Sequence, residues 1–156
     1  MERLGFIGMG NMAQALALGF IRSGSIAKEN VFAYAPHQDK LKKNAAAIGF
    51  TPLGSLAELA ASCDTLVMAC KPYQIEAVVA ELGEKLAGKA LLSIAAGWDF
   101  ARYQSVLPAG TRVQFIMPNT PAMVAEGVLL FEETNSLTEE EHAAAVRLFA
   151  SVGLVQ

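Results

Sequence analysis

Three glycines lie within six residues in the stretch GFIGMGNMAQA, residues 5–15, between a short apolar run and an amphipathic one. Gly8-Met9-Gly10-Asn11-Met12-Ala13 fits the pattern G-x-G-x-x-G/A. The chemistry such a turn performs is electrostatic: a strand-to-helix turn presents unpaired backbone N–H groups and a partial positive charge to a pyrophosphate. Gly8 permits the tight turn, Gly10 lets the backbone approach the phosphates, and Ala13 is small enough for close helix–strand packing. The pattern gains meaning only inside a strand–helix–strand unit with a second strand roughly 20 residues on.

That second strand reads VFAYAPHQDKLKK from residue 31. Sites selective for NAD place Asp or Glu at its end, bonded to the ribose 2′-hydroxyl. Here Ala35, Pro36 and His37 stand at the strand end, and the first carboxylate is Asp39. The missing acid removes repulsion against a 2′-phosphate, and His37 and Lys40 are donors for one. The residues therefore favour NADP(H) over NAD(H). Lys42 and Lys43 read as a solvated helix face.

Ligands of such folds bind beyond the carboxyl ends of the strands, so the residues after each strand carry the next candidates. Lys71-Pro72 follows TLVMAC, and the proline forces Lys71 into an extended conformation while starting the next helix. Gly97 follows LLSIAA as a close-approach or positive-φ residue. PNTPAM follows VQFIM, with Pro118 and Pro121 stiffening a loop that displays Asn119 and Thr120. No side chain in these loops is a convincing general acid. Cys63 and Cys70 bracket an apolar strand; seven steps of about 3.3 Å separate them by about 23 Å, too far for a disulfide. They read as buried small hydrophobes, and neither they nor His37 and His142 have metal-ligand spacing.

The elements that must hold these residues alternate. Strands are expected at 3–8, 31–35, 65–70, 90–96, 111–117 and 127–133, and helices at 11–24, 37–49, 55–62, 73–86 and 138–153. In the first helix Met12, Ala15, Leu16, Gly19 and Phe20 share one face. Ser55 with Glu58, and Thr138 with Glu141, have capping-box spacing. Near-continuous apolar strands alternating with helices predict an α/β fold: a doubly wound, Rossmann-like, mostly parallel sheet with helices on both faces.

The chain has 156 residues, 53% of them hydrophobic and 17% charged, which suits one globular domain. A formal charge of −3 supplies no basic field for a nucleic acid. No apolar run approaches the ~18 residues of a membrane span, and MERLGFIG is too short and polar for a signal peptide. A cytoplasmic protein without nucleic-acid or membrane partners is expected.

The segments FIGMGNMAQAL, VMACKPYQI, LLSIAAG and MPNTPAMVAEGV resemble, in order and spacing, the signature segments of pyrroline-5-carboxylate reductases over essentially the whole chain. The resemblance implies reduction of the cyclic imine Δ1-pyrroline-5-carboxylate to L-proline with NAD(P)H, the last step of proline biosynthesis. By position it assigns Gly8, Met9, Gly10, Asn11 and Met12 to the phosphate turn and places Ala35, Pro36 and His37 near the adenosine ribose. Ser55 falls near the adenine. Ala69, Cys70, Lys71, Pro72 and Ala96 would line the ribose and nicotinamide, with Asn119 near the reacting ring. It further implies a homo-oligomer formed through a helical C-terminal domain that carries most substrate contacts, residues 1–156 being the cofactor-binding domain. One departure stands out: family members often carry Arg two residues before the Met of MPNTP, where this chain has Phe115. Two other readings stay open. One is a different NADP-dependent reductase (a β-hydroxyacid dehydrogenase or a deazaflavin-linked oxidoreductase), against which MPNTP and SIAAG argue. The other is a non-catalytic dinucleotide-binding module.

Overall fold

The apolar run Leu4–Ile7 forms the first strand, β1, and is buried at every position, as a strand covered on both faces must be. The structure, a computed structural model, describes residues 1–119 and 127–156. Around β1 lie β2 (Val31–Tyr34), β3 (Thr51–Pro52), β4 (Thr65–Met68), β5 (Ala90–Ser93), β6 (Arg112–Asn119), β7 (Gly127–Phe131) and β8 (Gly153–Val155). They form one sheet in the order β3-β2-β1-β4-β5-β6-β7-β8. From β3 to β6 every pairing is parallel. The chain runs outward from β1 to β3, then returns to β1's other side with β4. The strand order therefore reverses at β1/β4, leaving a crevice beyond their carboxyl ends.

Among the described residues six helices cover the two faces. Alternation along β1 sends Leu4 and Phe6 to one face, where they meet α1 (Asn11–Arg22), α2 (Gln38–Ile48) and α6 (Glu139–Ala150). Ile7 turns to the other, against α3 (Leu56–Ser62), α4 (Ile75–Leu82) and α5 (Phe100–Gln104). On the first face the rings of Phe20 and Phe149 meet edge-on at 5.2 Å. Thr138 and Glu141 form the expected capping box at α6, with N–H bonds of 3.0 and 3.1 Å in opposite directions. Glu141 also holds Arg112 at the start of β6 through two bonds of 2.7 and 2.8 Å.

The expected fold class holds, with local corrections. The buried stripe of α1 is Ala13, Leu16, Ala17 and Phe20, turned about one position from the expected Met12, Ala15, Leu16, Gly19 and Phe20. Ala13 must meet the sheet at the turn, and that sets the helix's rotation. The helix expected over 73–86 is α4 alone, flanked by 3₁₀ turns at Pro72–Gln74 and Gly83–Leu86, because Gly83 takes φ +49 and stops it. Pro118 and Asn119 belong to a strand rather than a loop: β7 returns antiparallel to β6 and pairs them with Leu129 and Val128. Thr120 and Pro121 lie outside the described residues. Among the described residues no helix is long and apolar enough to cross a membrane.

Candidate functional site

At the end of β1 the chain must turn sharply, and Gly8 does so at φ +96, its N–H bonded to the Tyr34 carbonyl at 2.8 Å. A Cβ there would stand 2.9 Å from the carbonyl carbon and oxygen of Ala69 and from the amide nitrogen of Cys70. Both the conformation and the contact exclude a side chain. Gly10 differs: a Cβ on it would meet no atom within 4 Å, so its backbone borders open space. Gly10 is the N-cap of α1, no side chain caps the helix, and its first turn holds no acidic residue. The first intrahelical bond to Gly10 comes from the Gln14 N–H at 2.9 Å. The N–H groups of Asn11, Met12 and Ala13 thus have no acceptor within the helix. Between the two glycines Met9 buries its side chain in the core, so it serves the turn through its backbone. Its carbonyl accepts from Gln14 Nε2 at 3.0 Å.

Beyond β2 the loop is tied down by Gln38, whose Nε2 donates to the carbonyls of Ala35 (2.9 Å) and Leu53 (3.3 Å). His37 caps α2, its Nδ1 accepting the Lys40 N–H at 3.2 Å. That bond needs a lone pair on Nδ1, so the neutral ring carries its proton on Nε2, the nitrogen directed away from the helix turn. Pro36, His37 and Lys40 are exposed. Asp39 sits in the first turn of α2 and not at the strand end where a ribose-binding acid would stand. Ser55, half-buried beyond β3, caps α3 by accepting the Glu58 N–H at 3.1 Å.

On the other side of the crevice Ala69 donates its N–H to the Ile7 carbonyl at 2.9 Å. Cys70 is half-buried, and burial pushes its thiol up to about 11, so it is not a ready nucleophile. Cys63 is buried and, chiefly through burial, pushed up to about 12. Lys71 is extended, at φ −65 and ψ 143, and donates its N–H to Gln74 Oε1 at 3.0 Å. Pro72 opens the 3₁₀ turn. After β5, Ala96 and Gly97 are exposed; Gly97 has φ +81 with nothing near its α-carbon's missing substituent, so the turn requires its conformation and not its smallness. Asn119 closes β6, its backbone opposite Val128. Phe115, paired with Ser93, is buried and brings no charge.

One residue that sequence reasoning passed over ties these loops together. Trp98 is buried and donates its indole N–H to the Pro72 carbonyl at 3.1 Å. Its only signal in the sequence is that the chain's single tryptophan directly follows SIAAG.

Gly8–Ala13, Ala35–Lys40, Ser55, Ala69–Pro72 and Ala96 thus follow the carboxyl ends of β1 to β5, along the crevice at the strand-order reversal. Two grooves lie elsewhere, one bordered by Glu76, Val79 and Leu107 and one by Phe131, His142 and Gln156. Neither includes a residue of the glycine turn. Among the described residues no cluster of three His, Cys, Asp or Glu stands in position to hold a metal ion.

Comparison with known proteins gives the chain's family and its fold relatives. The family model described as "NADP oxidoreductase coenzyme F420-dependent" matches residues 3–97. A pyrroline-5-carboxylate reductase of Treponema pallidum is 34% identical over 98% of the chain and 59% of its own length. A crystal structure of Plasmodium falciparum pyrroline carboxylate reductase with NADP bound superposes with a TM-score of 0.87, at 30% identity, over 100% of this chain and 58% of that one. The Coxiella burnetii pyrroline-5-carboxylate reductase gives 0.89 at 28% identity over 99% and 57%. The chain spans somewhat under three fifths of the length of these relatives.

Proposed function

The chain belongs to the NADP oxidoreductase family described as coenzyme F420-dependent, with the pyrroline-5-carboxylate reductases as its relatives, and on that premise we propose that it supplies the NADPH-binding part of a reductase converting Δ1-pyrroline-5-carboxylate to L-proline. The observation that carries the reading is the open space at Gly10 in front of an uncapped α1 N-terminus, beside the β1/β4 crevice. A pyrophosphate fits that cradle, because its charge meets three unpaired N–H groups and no carboxylate.

NADPH, when bound, supplies the hydride that adds to the imine carbon while the imine nitrogen takes a proton. The residues of this chain bind and orient. Gly8 lets the turn lie against Ala69 and Cys70, so the phosphate cradle and the loop after β4 form one surface. Exposed Pro36, the His37 Nε2–H and the Lys40 ammonium border the position of an adenosine 2′-phosphate, with no acid at the strand end to repel it. Ala69–Pro72 and Ala96 carry no carboxylate or imidazole, so they hold the nicotinamide end by shape and leave the imine's proton to solvent or to residues outside these loops. Holding the two reacting carbons within about 3–3.5 Å is the main task in such a step. The additional length of the relatives is where substrate contacts and a subunit interface would come from.

A deazaflavin-linked reductase is the reading the family description brings forward. Its match ends at Gly97, whereas the likeness to the reductases extends over the whole chain, β6 to β8 included. Following NADPH absorbance with pyrroline-5-carboxylate, and in parallel with a reduced deazaflavin and NADP, tests the choice. We expect the chain to bind NADPH with negligible turnover alone and, when joined to the remaining length of a relative, to oxidise NADPH with the imine. Turnover with the deazaflavin and none with the imine would contradict the proposal.

A further inference from the structure

We propose that Trp98 is a positioning residue for the cofactor: its indole N–H fixes the Pro72 carbonyl and so locks the Ala69–Pro72 loop to the loop that follows β5. This rests on the reading of the crevice as a dinucleotide site.

The indole is 1% exposed, so its N–H has no water to bond and must find a protein acceptor. It takes the Pro72 carbonyl, 26 residues away, which also accepts the Ile75 N–H and closes the 3₁₀ turn. The rest of the indole is held from two sides. Tyr103 packs against it at 5.1 Å between ring centroids, tilted by 48°. The Tyr103 hydroxyl lies 2.6 Å from Ser93 Oγ at the end of β5, and the same Oγ accepts the Ala95 N–H at 3.3 Å. On its outer side the Arg102 guanidinium stands 4.0 Å over the ring. The chain of contacts Ser93–Tyr103–Trp98–Pro72 therefore runs from the end of β5, through α5, to the turn after β4. Both ends are places where the crevice would meet the ribose and nicotinamide. A residue serving only the apolar core has no need of this donor; a phenylalanine fills most of the same space.

The experiment uses residues 1–156 and Trp98→Phe, which keeps an aromatic ring and removes the N–H. Affinities for NADPH and NADH are measured by calorimetry well below the melting temperature, and Tm is recorded separately. The expected result is a loss of about tenfold for both dinucleotides by the same factor, because the loop faces the half of the cofactor that the two share. Wild-type Trp98, the only tryptophan, should also lose emission by energy transfer as NADPH binds. Should Trp98→Phe fail to fold, Tyr103→Phe decides: a parallel, smaller loss for both dinucleotides supports the proposal and unchanged affinity overturns it. If Trp98→Phe binds both dinucleotides as wild type does, with only Tm lowered, Trp98 is a core residue and the proposal falls while the cofactor site stands. If the wild-type chain binds neither dinucleotide, the cofactor site itself is wrong and the proposal falls with it.

Discussion

Gly8 and Ala69 touch backbone to backbone: the nearest Ala69 atoms lie 2.9 Å from where a Gly8 Cβ would stand. A turn after β1 and a loop after β4, 61 positions apart in the chain, are thereby pressed into one surface. Gly10, two residues on, faces nothing. The two glycines of one motif do different physical work, and substitution separates them.

Gly8→Ala must both hold φ +96 and displace the Ala69–Cys70 backbone. Conformational strain alone is about 1–3 kcal/mol, so we expect a clear fall in Tm together with lost dinucleotide binding. Gly10→Ala sits at φ −77, where alanine is unstrained, and has room. It should fold with nearly unchanged Tm and lose about tenfold or more in NADPH affinity, since the methyl occupies the phosphate's approach. Thermal melts paired with calorimetry read both.

Pro36→Asp places a carboxylate at the exposed strand end where none now stands. NADPH affinity should fall at least tenfold, about 1.4 kcal/mol, while NADH affinity is kept or improved. Equal losses for the two cofactors would show that the 2′-phosphate lies elsewhere.

The Arg112 guanidinium, by bidentate hydrogen bonding, holds the Glu141 carboxyl below the usual carboxylate range. A depressed folded-state value contributes stability above the ordinary carboxylate pKa of about 4.3, and that stability is lost as pH falls through the depressed value. Asp64 acts in the same sense: burial raises it, but bonds from the Thr65 hydroxyl and from the N–H groups of Arg3 and Glu2, with the N-terminal charge, outweigh burial and lower it. Glu141→Gln should therefore lower denaturant midpoints at pH 7, with the difference from wild type shrinking in acid. A constant difference across pH would contradict the assignment.

Much of the fold and of the site is legible in the amino-acid sequence. Strand–helix alternation, the glycine turn, the absent acid after β2 and the Thr138–Glu141 box are local patterns, each set by residues within a few positions. What the sequence does not disclose is non-local. An apolar run does not state its direction, so neither the antiparallel course of β7 nor the place of Pro118 and Asn119 in a strand can be read from it. β3 is two residues, Thr51–Pro52, too short to show a period. The clamp between Arg112 and Glu141 spans 29 positions and the Trp98–Pro72 bond 26, and neither pairing has a spacing rule. Gly83 does carry a signal, a glycine inside a helical pattern, and it ends the helix.

Across β6 to β8 one face of the sheet exposes Met117, Leu130 and Leu154; Met117 pairs with Leu130, and Leu154 pairs with Val128, two residues along the same face. β8 is also an edge strand. Such a patch favours association. Residues 1–156 should self-associate with rising concentration in sedimentation runs, and Leu154→Lys should weaken that association without altering NADPH binding.

The most direct test of the account is to record amide resonances of the chain while NADPH is added. The largest shifts should fall on Gly10, Asn11, Met12 and Ala13, with a second group at His37 and Lys40 that NADH does not reproduce. Shifts confined to the groove beside Glu76 and Leu107, or none at millimolar NADPH, would contradict it.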